Sequence, residues 1–93
     1  MKIKFSPYVI KDLEKHKKKD KKFALLLEKQ LSNFIANPKL KSLRRHKLSG
    51  KLNNMWSISI TKKLRLVYLI ENNEDILFIG FGSHDEVYGK DKT

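Results

Sequence analysis

Five side chains in this sequence are suited by type and setting to do chemistry. His46 lies in Arg44-Arg45-His46-Lys47-Leu48, Lys63 and Arg65 flank the start of an apolar run, and His84 and Tyr88 lie in Gly82-Ser83-His84-Asp85-Glu86-Val87-Tyr88. Histidine titrates near neutral pH and can both take up and release a proton there. Breaking an RNA backbone through its own 2′-hydroxyl needs a base for that hydroxyl, an acid for the departing 5′-oxygen, and cations around the phosphate. Two histidines among arginines and lysines contain all three types of group. Each residue alone also has a plainer reading. A single surface histidine is more often a polar loop residue, and His16, on a basic helix, is left at that. Arg65 either faces a phosphate or is a sheet arginine, exposed or paired with Glu71 or Glu74. Tyr88 either stacks on a base or covers the end of a sheet. Asp85 and Glu86 beside one histidine are a weak metal signal in so basic a chain, so no metal site is expected. Glycine-rich phosphate loops, serine elbows and HExxH patterns are missing, and no cofactor is expected.

The setting of these residues is strongly cationic. With 21 Lys and Arg against 10 Asp and Glu, the 93-residue chain carries a formal charge of +11. Such a field favours polyanions, so nucleic acid and acidic protein segments are the leading partners. Arg44, Arg45, Lys47, Lys51 and Lys62, close in sequence to His46 and Arg65, are the expected RNA contacts. The lysine run over residues 15–22 says only that phosphate backbones would be attracted. A sequence with no cysteine has no disulfide, zinc–thiolate site or thiol catalysis. The start reads Met-Lys-Ile-Lys-Phe rather than as a signal peptide, and no long uncharged apolar run follows, so a cytoplasmic protein without membrane contact is expected.

The elements that must position these groups follow from periodicity. The length suits one domain over residues 1–93. Ile3 and Phe5 alternate in a short strand that runs into Ser6-Pro7, a helix cap followed by a proline suited to the first turn. Val9, Leu13 and His16 recur at helical spacing against a lysine face. Asp20 begins a second helix with the stripe Phe23, Leu27, Gln30 or Leu31, and Phe34, which Asn37-Pro38 ends. Residues 39–54 lack a period and read as an irregular basic segment anchored by Leu40, Leu43 and Leu48. Trp56, Ile58 and Ile60 alternate with Ser57 and Ser59 as a half-buried strand, and Thr61-Lys62-Lys63 turns into an apolar run from Leu64 to Ile70. Asn72-Asn73 turns that run into a last strand over residues 76–81. The expected fold is α+β: an N-terminal strand, a helical hairpin and an antiparallel three-stranded meander, with the helices on one sheet face and the other left for a partner or substrate. Arg65, between Leu64 and Leu66, points to that second face.

At this point three segments resemble a known family in the same order. Arg45-His46-Lys47-Leu48-Ser49-Gly50 resembles the His-x-Leu-x-Gly segment of YafQ-like toxins, with an aromatic residue following at Trp56. Arg65-Leu66-Val67-Tyr68 resembles a strand shared across the RelE group, and residues 79–88 resemble its closing Gly-[Ser/Thr]-His segment. The resemblance to the RelE/ParE superfamily, YafQ-like branch, implies a fold related to microbial ribonucleases. It further implies the toxin of a type II toxin-antitoxin system, an endoribonuclease that cuts mRNA on the ribosome without a metal and is held inactive by a cognate antitoxin. It makes His46 and His84 the acid and base, Arg65 the phosphate stabiliser and Tyr88 the terminal aromatic. The chain departs from the branch between Ser57 and Lys63, where a further histidine and an aspartate are replaced and Lys63 stands as the available charge. Two other functions stay open: a ParE-type inhibitor of DNA gyrase with no RNA chemistry, and a non-enzymatic basic nucleic-acid-binding module.

Overall fold

The computed structural model describes residues 1–48 and 54–83. Its elements are β1 (Ile3–Phe5), α1 (Pro7–Lys19), α2 (Lys21–Ala36), a 3-10 turn (Lys41–Leu43), β2 (His46–Lys47), β3 (Met55–Ser59), β4 (Leu64–Ile70) and β5 (Ile76–Ser83). The order of strands in the sheet is β1-β5-β4-β3-β2. The meander β3-β4-β5 is antiparallel, as its short turns require, whereas β1 joins β5 in parallel after the chain has crossed over through both helices. The architecture is the expected α+β fold, with a helical pair packed against a largely antiparallel sheet.

Local chemistry sets the element ends. The Ser6 hydroxyl accepts the Val9 N–H at 3.3 Å with Pro7 at the first helical position. Asp20 serves both helices: its N–H closes α1 on the His16 carbonyl, and its carboxylate accepts the Phe23 N–H at 3.1 Å to open α2. Val9 and Leu13 of α1 and Phe23, Leu27 and Phe34 of α2 pack on Ile58, Leu66, Tyr68, Ile76 and Phe78 from the sheet. Phe34 and Tyr68 meet edge to face at 5.0 Å, and Phe5 stacks on Phe78 at 5.0 Å. His16 lies on the stripe that its spacing with Val9 and Leu13 indicates and is not the plain surface residue of the alternative reading, its ring against Phe23 at 4.4 Å and Phe81 at 5.6 Å.

Two further differences from the sequence reading affect the site. The segment expected to be irregular contains β2, which pairs His46 with Ser57 and Lys47 with Trp56. A two-residue strand is too short to show a period. Leu43 and Leu48 anchor the segment in the core as expected, but Leu40 lies largely outside it. The sheet face away from the helices is also not bare at its centre: Ser57, Ser59, Arg65 and Val67 are all buried. The turn between β4 and β5 falls at Asn72-Asn73, yet its left-handed residue is Glu74, at φ 68°.

Candidate functional site

Register places the candidate residues. Residues opposite one another in antiparallel strands share a face, so His46, Ser57 and Val67 point the same way, and Ser59 and Arg65 lie one step along that face. His46 is exposed at the edge of this face, and Arg65, only 8% exposed, lies towards its middle. Burying a guanidinium is costly unless its donors are used. Arg65 Nε donates to the Ser57 hydroxyl at 3.2 Å, and Nη2 donates to the Arg44 carbonyl at 2.6 Å. Arg65 thereby connects β4 to β3 and to the chain just before β2. Glu71, one of the two carboxylates considered as its partner, pairs with Lys4 at 2.7 Å.

Arg44 ends the 3-10 turn in the left-handed region, at φ 47° and ψ 49°, with its N–H on the Lys41 carbonyl at 3.0 Å. A non-glycine residue is disfavoured there and persists where its surroundings hold it. The charge-assisted bond from Arg65 to the Arg44 carbonyl is one such restraint. The conformation of Arg44 sets the direction in which the chain enters β2, and so the position of His46 two residues on.

The remaining cations do not all gather on this face. Arg45 and Lys47 turn to the other side, where the Arg45 guanidinium lies 4.2 Å from the centre of the Trp56 ring and Lys47 Nζ lies 5.8 Å from it. Arg45 also approaches Tyr68, whose phenol burial pushes above its ordinary value of 10.0 while the neighbouring guanidinium acts to lower it. Lys62 and Lys63 sit on the β3–β4 turn. The Thr61 hydroxyl fixes that turn by accepting the Lys63 N–H at 3.2 Å and the Leu64 N–H at 3.0 Å. These lysines and Arg44 line one cleft at the end of the sheet. Lys51, His84 and Tyr88 lie outside the described residues, although Ser83, which precedes His84, ends β5 opposite Leu64.

Two positioning residues carry no obvious mark in the sequence. Ser57 looked like the polar half of an alternating strand, and the available signal was that its parity puts it on the Arg65 face. Gln30 sits in the apolar stripe of α2, where its amide donates to the carbonyls of Ser42 at 3.0 Å and Ser59 at 2.8 Å, binding helix, 3-10 turn and β3 together. A polar residue at a core position of a helix was the one hint. Among the described residues, no three histidine or acidic side chains gather in a group able to hold a metal ion, and no helix is long and apolar enough to cross a membrane.

Known proteins share this fold along nearly the whole chain. A protein from Methanocaldococcus jannaschii, designated as the toxin RelE4, is 33% identical over 91 residues, which is 97% of this chain and 93% of that one. A metal-bound toxin from Helicobacter pylori is 30% identical with a TM-score of 0.72, covering 94% of this chain and 98% of its own. YoeB in the YoeB-YefM complex from Staphylococcus aureus is 26% identical with a TM-score of 0.71, covering 90% and 97%. YafQ from E. coli shares the fold, with a TM-score of 0.73 at 20% identity and coverage of 94% and 97%. Similarity is therefore spread over YoeB, YafQ and other toxins, and does not single out the YafQ branch. The model for the ParE toxin of type II toxin-antitoxin systems, parDE, matches residues 3–88. With this sheet order and near-complete coverage, the chain belongs to the ParE toxin family of type II toxin-antitoxin systems, within the wider RelE/ParE superfamily.

Proposed function

We propose that this toxin, acting as one domain over residues 1–93 and close to the YafQ-like branch, is a ribosome-dependent, metal-independent endoribonuclease that inhibits translation by cutting mRNA. The observation that carries the reading is the pairing of His46 with Ser57 across β2 and β3, with Arg65 hydrogen-bonded to that same serine. An exposed imidazole and a buried, oriented guanidinium then occupy neighbouring places on one face. His46 and His84 divide proton transfer during attack of the 2′-hydroxyl on the scissile phosphate, and the products are a 2′,3′-cyclic phosphate and a 5′-hydroxyl. Arg65 and Lys63 offset the charge that develops on the phosphate, and Tyr88 packs against or donates to the substrate. Arg44, Lys51 and Lys62 hold the RNA backbone, and Arg45 and Lys47 reach it from the other face of the edge strand β2. The ribosome supplies the remaining alignment of the message. A cognate antitoxin binds the toxin and silences it, as YefM forms a complex with the S. aureus relative.

The test is translation of a defined message in a cell-free system, with ends mapped by primer extension for the wild-type protein and for His46→Ala. Ribosome-dependent cuts that fall at least about a hundredfold in the variant are expected, the usual scale of a lost general acid or base. Cuts of equal strength in the variant would remove His46 from the mechanism.

A second reading has its own support, because the family model that matches is the one described for ParE of parDE. In that reading the chain inhibits DNA gyrase and performs no RNA chemistry. A supercoiling assay separates the two: inhibited gyrase together with an uncut message would replace the ribonuclease by a gyrase inhibitor.

A further inference from the structure

The cleft that receives Arg44, Lys62 and Lys63 has a volume of about 800 Å³ and is bounded by the first turns of α2, the 3-10 turn and the ends of β3, β4 and β5. Its lining combines two kinds of surface. Lys22, Arg44, Lys62 and Lys63 contribute four positive charges, against the one carboxylate of Asp20, which already accepts the Phe23 N–H. Deeper in, the half-buried Leu26 and Leu64 present apolar area over the buried Phe23 and Ile60, beside the hydroxyl-bearing Ser42, Ser59 and Thr61. The base is rigid, because Gln30 ties Ser42 to Ser59 through two hydrogen bonds, and the turn carrying Lys62 and Lys63 is closed on the Thr61 hydroxyl.

Lys22 adds an energetic argument. The first turn of α2 contains no acidic residue, and Lys21 and Lys22 both sit at the positive end of its dipole. Cations are unfavourable there, whereas the basic last turn of α1 is placed as helix electrostatics prefer. Lys22 thus works against the stability of its own helix while facing a cleft that holds three further cations. An anion bound between them would relieve both repulsions. A simple anion would leave the apolar wall unused, but a nucleotide has a flat base for the wall and a phosphate for the cations.

We propose that this cleft is an RNA subsite that takes a nucleotide flanking the scissile phosphate, base against Leu26 and Leu64 and phosphate among Lys22, Arg44 and Lys62. The proposal rests on the ribonuclease reading for its place along the message. Arg44 supplies the link, since it lines the cleft while its carbonyl accepts the hydrogen bond from Arg65. A strand engaged at His46 and Arg65 therefore has the cleft beside it, and the cleft is where preference for the neighbouring base is set.

The experiment has two arms on the full chain. In the first, the ¹⁵N-labelled protein is titrated with a pentamer of 2′-O-methyl uridine, which attack by a 2′-hydroxyl cannot cleave. Leu26, Ile60 and Thr61 amide signals should move, and Lys22→Glu should weaken binding on the order of tenfold while raising the melting temperature. Leu26→Glu, which removes apolar area from the wall and adds a carboxylate beside the phosphate, should weaken binding as well. In the second arm, messages randomised around the cut are translated with each protein, and both variants should still cut but with an altered preference for the flanking base. Unmoved cleft signals, binding indifferent to both variants, or displacement of the RNA by a pentaglutamate peptide at equal affinity would overturn the subsite. If the wild-type protein leaves messages intact yet the pentamer moves the cleft signals, the ribonuclease reading fails and the RNA-binding cleft stands. If messages are cut with unchanged preference in both variants, the cleft fails alone.

Discussion

Ser57 is wholly buried and its hydroxyl accepts the Arg65 Nε–H, so its side chain does more than fill the polar half of a strand. In Ser57→Ala a charged donor in a buried place loses its acceptor, and the expected destabilisation is about 2 kcal/mol, read from the urea midpoint. The same change lets the guanidinium reorient, so in the proposed reaction message cleavage should fall along with stability. Ser57→Thr, which restores the hydroxyl, should recover most of both. A Ser57→Ala protein as stable as the wild type would show that Arg65 does not depend on this bond. Arg65 itself was legible as the face-marking residue of β4, because an arginine within Leu64-Arg65-Leu66 cannot share the face of its neighbours. Its partners were not legible, since the Arg44 carbonyl lies 21 residues away and accepts through a backbone atom that any residue type would offer.

At the scale of elements, the attachment of β1 depends on one carboxylate. Asp75, at the start of β5, accepts the Lys2 N–H at 3.0 Å and the Asn73 side-chain amide at 2.9 Å, while the Ile76 N–H reaches the Lys2 carbonyl at 2.8 Å. The Lys2 N–H is the main cause that holds the Asp75 carboxyl below its ordinary value of 3.8, with the hydrogen bond from the Asn73 amide and the charges of Lys4 and Lys2 adding to it against the opposing effect of burial. A carboxyl whose value falls on folding stabilises the fold when ionised. That contribution is fully present above the ordinary value and is lost as pH drops through the lower, folded one. Stability should therefore decline on acidification below about pH 4, and the decline should be shallower in Asp75→Asn. Protection of the β1 amides from hydrogen exchange, taken relative to the intrinsic rate at each pH, should fall over the same range. An identical acid slope in the variant would mean that other carboxylates govern the decline. The capped ends of α1 and α2 could be read directly from Ser6-Pro7 and Asp20, because a cap is a contact three residues long. The parallel seating of β1 against β5 could not, since it pairs residues 73 apart.

For the whole molecule, the charge of +11 governs encounter with any polyanion. Binding of the full chain to a single-stranded RNA should weaken steeply with salt, and the slope of log affinity against log salt counts the phosphates engaged, at about 0.7 for each on a single strand. Lys62→Ala should lower that slope by about this amount. A slope near zero would mean that the basic surface meets RNA without releasing counterions, and would point to a protein partner for these lysines. The lysines of α1 attract in the same way without direction, whereas the four cations of the cleft share one location.

What the sequence by itself determined was everything that depends on neighbours in the chain: helix starts and stops, the alternation of β3, the face that Arg65 must take, the positive field and the α+β order of elements. Those features follow from periodicity, capping and charge, which act over a few residues or over the whole without needing a partner. The tertiary structure decided which side chains meet. It paired His46 with Ser57 through a strand two residues long, sent Arg45 and Lys47 to Trp56 on the opposite face, and set Gln30 across Ser42 and Ser59. It also collected Lys22 with Arg44, Lys62 and Lys63, residues from three separate elements, around one cleft. Such meetings are fixed by sheet register and by how helices seat on the sheet, and a shift of one residue in register would reverse every face without altering the pattern from which it was read.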